Sequence, residues 1–371
     1  MRHLYIHIPF CARRCSYCDF SIAVRKNVPA REYLACIERE LQLVEAPSGL
    51  DTIYLGGGTP SLLPPDALTT LLTSVRQAFP LTDPSAVEIT LEANPEDVTA
   101  DAASAWRRAG VNRVSLGGQS FDDRVLRWMH RVHDAAQTGE AFRALRNAGF
   151  DNVSLDLIFA LPAELERDWS RDLDQALALE PEHLSLYGLT VEARTPLARW
   201  ITRGAATAPD DERYAGEYLL AHERLYDAGY RFYEVSNAAL GDRRSRHNSA
   251  YWADRPYAGL GPAAHSYDGS ARRWNLAAWE QYRETITAGR SPVASTEELT
   301  DEQRELERIY LGLRTSDGLA LTASDRLRPL VTAWAAAGWV VTRGDRLVCT
   351  PEGWLRLDAL VRDLTELNGG R

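Results

Sequence analysis

Short apolar and β-branched runs return about every thirty to forty residues in the first half of the chain, at 4–8, 52–55, 87–91, 113–116, 152–158 and 183–187, and each has the length of a buried strand. Between them lie segments whose apolar residues keep helical spacing: Tyr33, Ile37, Leu41 and Val44, then Leu68, Leu71, Leu72 and Val75, later Leu173 and Leu177. Each helix carries the chain back to the end where the previous strand began, so successive strands pair in parallel and the helices cover them. Six such units predict an α/β fold, either doubly wound or curved into a partial (βα)6 barrel. Both forms place their chemistry at the carboxyl ends of the strands.

From about residue 205 the alternation fails. A helix over 212–228 and a strand over 232–235 lead into loops rich in Arg, Tyr, Trp and Gly that run to about 290 and read as a lid or second-ligand region. The last eighty or so residues open on a capping box, Thr300 with Gln303. They continue as a helix, a turn at Asp317 and Gly318, a helix from Ala323 and a hairpin over 339–349 around Gly344 and Asp345. The expected organisation is a core barrel over 1–235, a segment over 236–290 packed on it, and a C-terminal α+β winged-helix-like domain over 291–371. That last domain has 13 acidic and 10 basic residues, the wrong sign for a DNA reader. A packing or docking role is expected instead, with no nucleic acid as partner.

Composition closes off other classes. The 371 residues are 45% apolar and 25% charged, with a net charge of −10, so a large core is available and a generic nucleic-acid binder is disfavoured. The apolar stretch over 330–341 is too short to span a membrane, and Cys11, Arg13 and Arg14 stand where a signal peptide needs its apolar core. A cytoplasmic location is expected.

Three of the five cysteines, Cys11, Cys15 and Cys18, form C-x3-C-x2-C directly after the first strand. This is no disulfide framework. A zinc site would need a fourth ligand, for which Asp19 and His7 are available while Cys36 and Cys349 are remote. Three thiolates on a four-iron cluster would instead leave one iron open to an outside ligand. After the later strands come Gly56-Gly57-Gly58-Thr59, Glu92, Gln119 with Arg131, and Asp156. Glycines let backbone approach a ligand closely, and a carboxylate suits a ribose diol, although a tight turn and a surface Glu are the plain alternatives.

Together, LYIHIPFCARRCSYCDF, GGGTPSLL, LEANPE, GVNRVSLGGQSF, HRVH, DLIFALP, YEVSNAA, RHNSAYW and YAGLGPAAHS resemble the radical SAM superfamily. The similarity is to the coproporphyrinogen III oxidase-like branch, and within it to the HemW-like heme chaperones. The resemblance runs from residue 1 to about residue 290. It implies a [4Fe-4S] cluster on Cys11, Cys15 and Cys18, with S-adenosylmethionine (SAM) chelated to the open iron. SAM would contact Tyr5, Tyr17, Gly57, Gly58, Thr59, Glu92, Gln119, Arg131 and Asp156, with Arg131 suited to its carboxylate. The oxidases of this branch resemble C-x3-C-x2-C-x-C after a long N-terminal extension; here position 20 is Phe20 and Cys11 follows the start almost at once. Both departures favour the chaperone over radical decarboxylation of a porphyrinogen.

The segment His247-Asn248-Ser249-Ala250-Tyr251-Trp252 resembles the HNxxYW element associated with heme. On that reading His247 ligates the iron, aromatics pack on the macrocycle, and Arg243, Arg244 and Arg246 meet the propionates. A histidine capping a loop is the plain alternative, with His265 the next ligand candidate. The implied partners are heme, a heme-acceptor protein at the inner membrane face, and an electron donor such as flavodoxin or ferredoxin.

Overall fold

The computed structural model describes residues 1–45, 47, 49–321 and 327–369. Six parallel strands stand side by side in chain order: β1 (His3–Ile8), β2 (Thr52–Gly57), β3 (Glu88–Ala93), β4 (Arg113–Gln119), β5 (Val153–Phe159) and β6 (His183–Gly188). In β1, Leu4, Ile6 and Ile8 face the outer helices and are fully buried, whereas His3, Tyr5 and His7 alternate with them and face the interior. The barrel interior is therefore polar and the apolar core lies between strands and helices, where Tyr33, Ile37, Leu68, Leu72, Trp106, Phe142 and Leu173 pack.

The helices begin and end where local chemistry dictates. Thr99 accepts from Ala102 N–H to cap Ala100–Ala109, and Gly110, at φ +102°, ends it. Asp134 and Gln137 form a reciprocal capping box on Ala135–Asn147. These stops deliver the chain to the next strand at a defined height.

The region expected to be a lid is instead sheet. Arg231–Glu234 and Asn237–Ala239 add antiparallel strands beside β6, while Tyr257–Leu260 runs parallel to β1 and leads through His265–Tyr267 and Ala271–Asn275 to Val293–Glu298. The result is one twelve-stranded sheet. The strand expected over 232–235 is Arg231–Glu234; sequence periodicity missed the others because most are only three to five residues long, below the window in which alternation can be counted. A buried carboxylate locks the added edge to the barrel: Glu40, on the helix Ala30–Leu41, accepts from Gly261 N–H (2.7 Å), Asn275 Nδ2 (2.6 Å) and Tyr282 Oη (2.5 Å).

The C-terminal part comprises the helix Asp301–Arg314 with its Thr300–Gln303 capping box, a three-stranded sheet of Leu319–Ala320, Val340–Arg343 and Arg346–Cys349, and the helices Arg328–Ala336 and Leu357–Gly369. The expected start of a helix at Ala323 lies outside the described residues; the described helix begins at Arg328. Arg314 ties this part to the main sheet through a 3.1 Å ion pair with the fully buried Glu234. Among the described residues no helix is long and apolar enough to cross a membrane.

Candidate functional site

The carboxyl ends of the six strands surround a cavity of about 470 Å³. Its wall holds Cys11, Cys15, Tyr17 and Cys18 from the loop after β1, Gly57, Gly58 and Thr59 from the end of β2, Glu92 and Asn94 from β3 and its exit, Gln119 from β4, Arg131, and Asp156 from β5. Of the sequence candidates, all three cysteines and eight of the nine residues expected around SAM thus share one chamber.

The cysteine loop is held from three sides. Ser16 N–H donates to Met129 O (3.1 Å), Leu197 N–H donates to Ser16 O (2.9 Å), and Ala23 N–H donates to Pro9 O (2.7 Å). Burial pushes the Cys11 thiol up to about 11 against a hydrogen bond from Thr59 Oγ1 (3.3 Å), and burial likewise raises Cys18. Such thiols ionise when a bound cation supplies the missing charge. Among the described residues no three Cys, His, Asp or Glu side chains converge on one point as a single ion requires. A four-iron cluster takes one thiolate at each of several irons, and the three thiols share the wall of one cavity. The zinc alternative also loses its histidine, since His7 is buried with Nδ1 3.1 Å from Tyr5 Oη and Nε2 3.1 Å from Ser21 O.

The glycines after β2 have a packing reason. A Cβ at Gly57, whose φ is +116°, would lie 2.7 Å from the His7 ring, and one at Gly58 would lie 2.7 Å from Phe10 O. The turn must pass directly over the start of the cysteine loop, and only glycine permits it. Gly57 N–H (3.1 Å) and Tyr54 Oη (2.8 Å) donate to Glu92, whose carboxyl burial pushes up to about 7. Asp156 accepts from Ser115 Oγ (3.0 Å) and Ser154 Oγ (3.2 Å), and burial raises it as well. Arg131 donates to Asn94 Oδ1 (2.6 Å), Gly117 O (2.9 Å) and Cys15 Sγ (3.7 Å). A fixed cation thereby stands between the cysteine loop and β4. Asn94, which orients it, was missed although it lies within LEANPE, because a sequence carries no sign that two motifs meet.

Two candidates fall elsewhere. Tyr5 lies lower in the barrel, stacked on Tyr54 at 6.1 Å, and lines a smaller cavity of about 210 Å³ with Arg113, His183 and His247. Its strand position sets its depth, one inward-facing step below His7 and two residues further from the cysteine loop. His247 lies outside the large cavity. It sits in the short helix Arg246–Trp252, is 1% exposed, and has both ring nitrogens engaged, Nδ1 with Thr52 Oγ1 (2.6 Å) and Nε2 with Tyr251 Oη (2.8 Å). In this arrangement one hydroxyl receives the ring N–H and the other takes up the lone pair. The arginines expected at propionates lie at the surface, Arg243 paired with Asp151 (3.3 Å), Arg244 with Asp317 (3.5 Å), and Arg246 donating to Ala86 O. Trp252 packs beneath Arg314, whose guanidinium carbon is 4.3 Å from the ring centroid. The HNSAYW segment is the floor of the barrel, closing the amino ends of β1 to β3.

The model of the radical SAM superfamily matches residues 5–176. The chain is 40% identical to a protein of Mycobacterium tuberculosis named heme chaperone HemW, covering 97% of this chain and 94% of that protein. A Bacillus subtilis protein of the same name is 36% identical over 86% of this chain and 85% of its own length. In three dimensions the chain is similar to the Escherichia coli coproporphyrinogen III oxidase HemN, described as a radical SAM enzyme, with a TM-score of 0.80 over 99% of this chain and 89% of that one at 22% identity; at that identity the likeness speaks for the fold. A shared fold, a matching family model and end-to-end similarity in sequence lead to one conclusion: the chain belongs to the radical SAM superfamily, and within it to the HemW family.

Proposed function

We propose that this protein is a heme chaperone that carries a [4Fe-4S] cluster on Cys11, Cys15 and Cys18, binds SAM at the open iron, and passes heme to an acceptor protein. The observation that carries the SAM reading is the single chamber in which three thiols, the Gly57–Thr59 turn, two carboxyls and a fixed guanidinium meet. A bound cluster supplies electrons and an open coordination site. The chain's own residues orient the ligand: Glu92 and Asp156 face a ribose and an ammonium, Tyr17 packs beside the cluster, and Arg131 meets a carboxylate. The names of the relatives support heme as cargo. The acceptor is placed at the inner face of the membrane, the protein works from the cytoplasm, and a flavodoxin- or ferredoxin-like donor reduces the cluster.

Radical decarboxylation of a porphyrinogen is the second reading, because the fold is that of an oxidase. Phe20 argues against it. It stands where the oxidase pattern has a fourth cysteine, and it is 62% exposed. Anaerobic reconstitution followed by heme titration, incubation with coproporphyrinogen III and assay for 5′-deoxyadenosine separates the two. Stoichiometric heme uptake without vinyl products supports the chaperone, and vinyl products overturn it.

A further inference from the structure

The inward face of β4 carries a positive charge that no described residue pairs with. Val114 and Leu116 of β4, like Ile89 and Leu91 of β3, belong to the core outside the barrel, so strand alternation turns Arg113 and Ser115, in register with Thr90 and Glu92, to the interior. Arg113 is 2% exposed and lines the smaller cavity. Its Nε is buried with no hydrogen-bond partner, and among the described residues its guanidinium forms no ion pair. Thr90 Oγ1, on the neighbouring strand, is likewise buried and unpartnered.

The surrounding groups do not supply the missing partner. His183 and His247, on the same wall, have both ring nitrogens hydrogen-bonded, and burial keeps both imidazoles neutral. Glu92 and Asp156 feel the field of Arg113, but their oxygens accept from Tyr54 and Gly57 and from Ser115 and Ser154. A lysine or histidine so placed escapes by losing its proton; an arginine stays charged. A buried charge left unpaired is costly, and the planar guanidinium fork matches a carboxylate through two parallel N–H···O bonds.

There is space for such a partner. The cavity of about 210 Å³ is several times the roughly 30 Å³ that one water occupies in the liquid. Ser245 lines it too, and its Oγ accepts from Asn248 N–H, which leaves the hydroxyl proton to donate. Glu92, Ser115 and Tyr187 line both this cavity and the larger one; these three side chains form the partition between them.

We propose that the smaller cavity is a binding site for a small carboxylate-type anion, of the size of acetate or bicarbonate, held by the Arg113 fork and reached from the large cavity past Glu92, Ser115 and Tyr187. The anion binds without any covalent change. The site stands apart from the reading of the large cavity and needs neither SAM nor heme.

The test titrates sodium acetate, and in parallel sodium bicarbonate and sodium phosphate, into the cluster-loaded protein under anaerobic conditions at neutral pH, with sodium chloride holding the ionic strength constant. Isothermal titration reads affinity and stoichiometry, and thermal unfolding reads the stabilisation that a bound anion confers on the folded chain. We expect one planar anion per chain in the wild type, with a dissociation constant on the order of 1 mM, and a melting temperature that rises with acetate or bicarbonate above its value in chloride. Arg113→Lys keeps the charge but loses the fork, and should weaken binding by about tenfold. Arg113→Met should abolish binding, and the lysine variant decides the matter if the methionine variant does not fold. A wild type that binds neither planar anion and melts as it does in chloride holds only water in this cavity, which overturns the proposal. Binding that is unchanged in the Arg113 variants lies elsewhere and overturns it as well. A preference for phosphate over both planar anions overturns the carboxylate class.

Discussion

The Oγ1 of Thr52, at the first residue of β2, lies 2.6 Å from Nδ1 of His247. The same oxygen is 2.9 Å from His3 Nδ1, and the His247 ring stacks on Tyr54 at 5.1 Å. Burial holds the His247 imidazole down to about 3, so it is neutral throughout the physiological range. His247→Ala should therefore lower the stability of the fold by about 2–4 kcal/mol, through a cavity and the unpaired hydroxyl of Tyr251. The spectrum of bound heme should stay as in the wild type. Denaturation of the variant and its Soret band check this; a shifted band with unchanged stability would return His247 to the iron.

Cys11, Cys15 and Cys18 line one wall, whereas Cys36 is buried in the helix Ala30–Leu41 and Cys349 ends a C-terminal strand. Replacing any of the first three with Ala should abolish the iron-sulfur charge-transfer absorption. Cys36→Ala and Cys349→Ala should keep about four irons and four sulfides per chain, as iron and sulfide analysis after anaerobic reconstitution will show.

Glu92 is pushed up to about 7 by burial in the protein without ligand. Its role toward a ribose diol requires the carboxylate, so SAM should bind more tightly as the pH rises through that value. Below it, affinity should fall toward tenfold for each pH unit. Isothermal titration at pH 6 and 8 reads this directly, and Glu92→Gln should flatten the profile.

Burial also pushes Glu40 up to about 7, despite three donated hydrogen bonds. A carboxyl whose folded value exceeds its unfolded one, near 4.5, favours the fold when protonated. That contribution is complete below the unfolded value and is lost as the pH climbs to the folded one, at roughly 1.4 kcal/mol per unit. The stability of the wild type relative to Glu40→Gln should thus decline between about pH 5 and pH 7. A difference that grows over this window would mean that the three donors outweigh desolvation.

Much of the architecture is determined locally. The six strand runs, the capping residues Thr99, Asp134 and Thr300, and the C-x3-C-x2-C spacing are each readable over a few residues, because strand alternation, helix caps and loop ligands act at short range. The gathering of Cys11, Gly57, Glu92, Gln119 and Asp156 at one end follows almost as directly from parallel βα order. Tertiary structure alone decided what occupies the interior. Tyr5 and Tyr17 are both tyrosines near the cysteine motif, yet strand pleat sends Tyr5 into the lower barrel while the loop keeps Tyr17 at the top. His247 is a second case, held by Thr52, 195 residues away, and by Tyr251, four residues away. Whether an imidazole's lone pair is available depends on partners that long-range packing brings to it, and no local pattern of residue types encodes that.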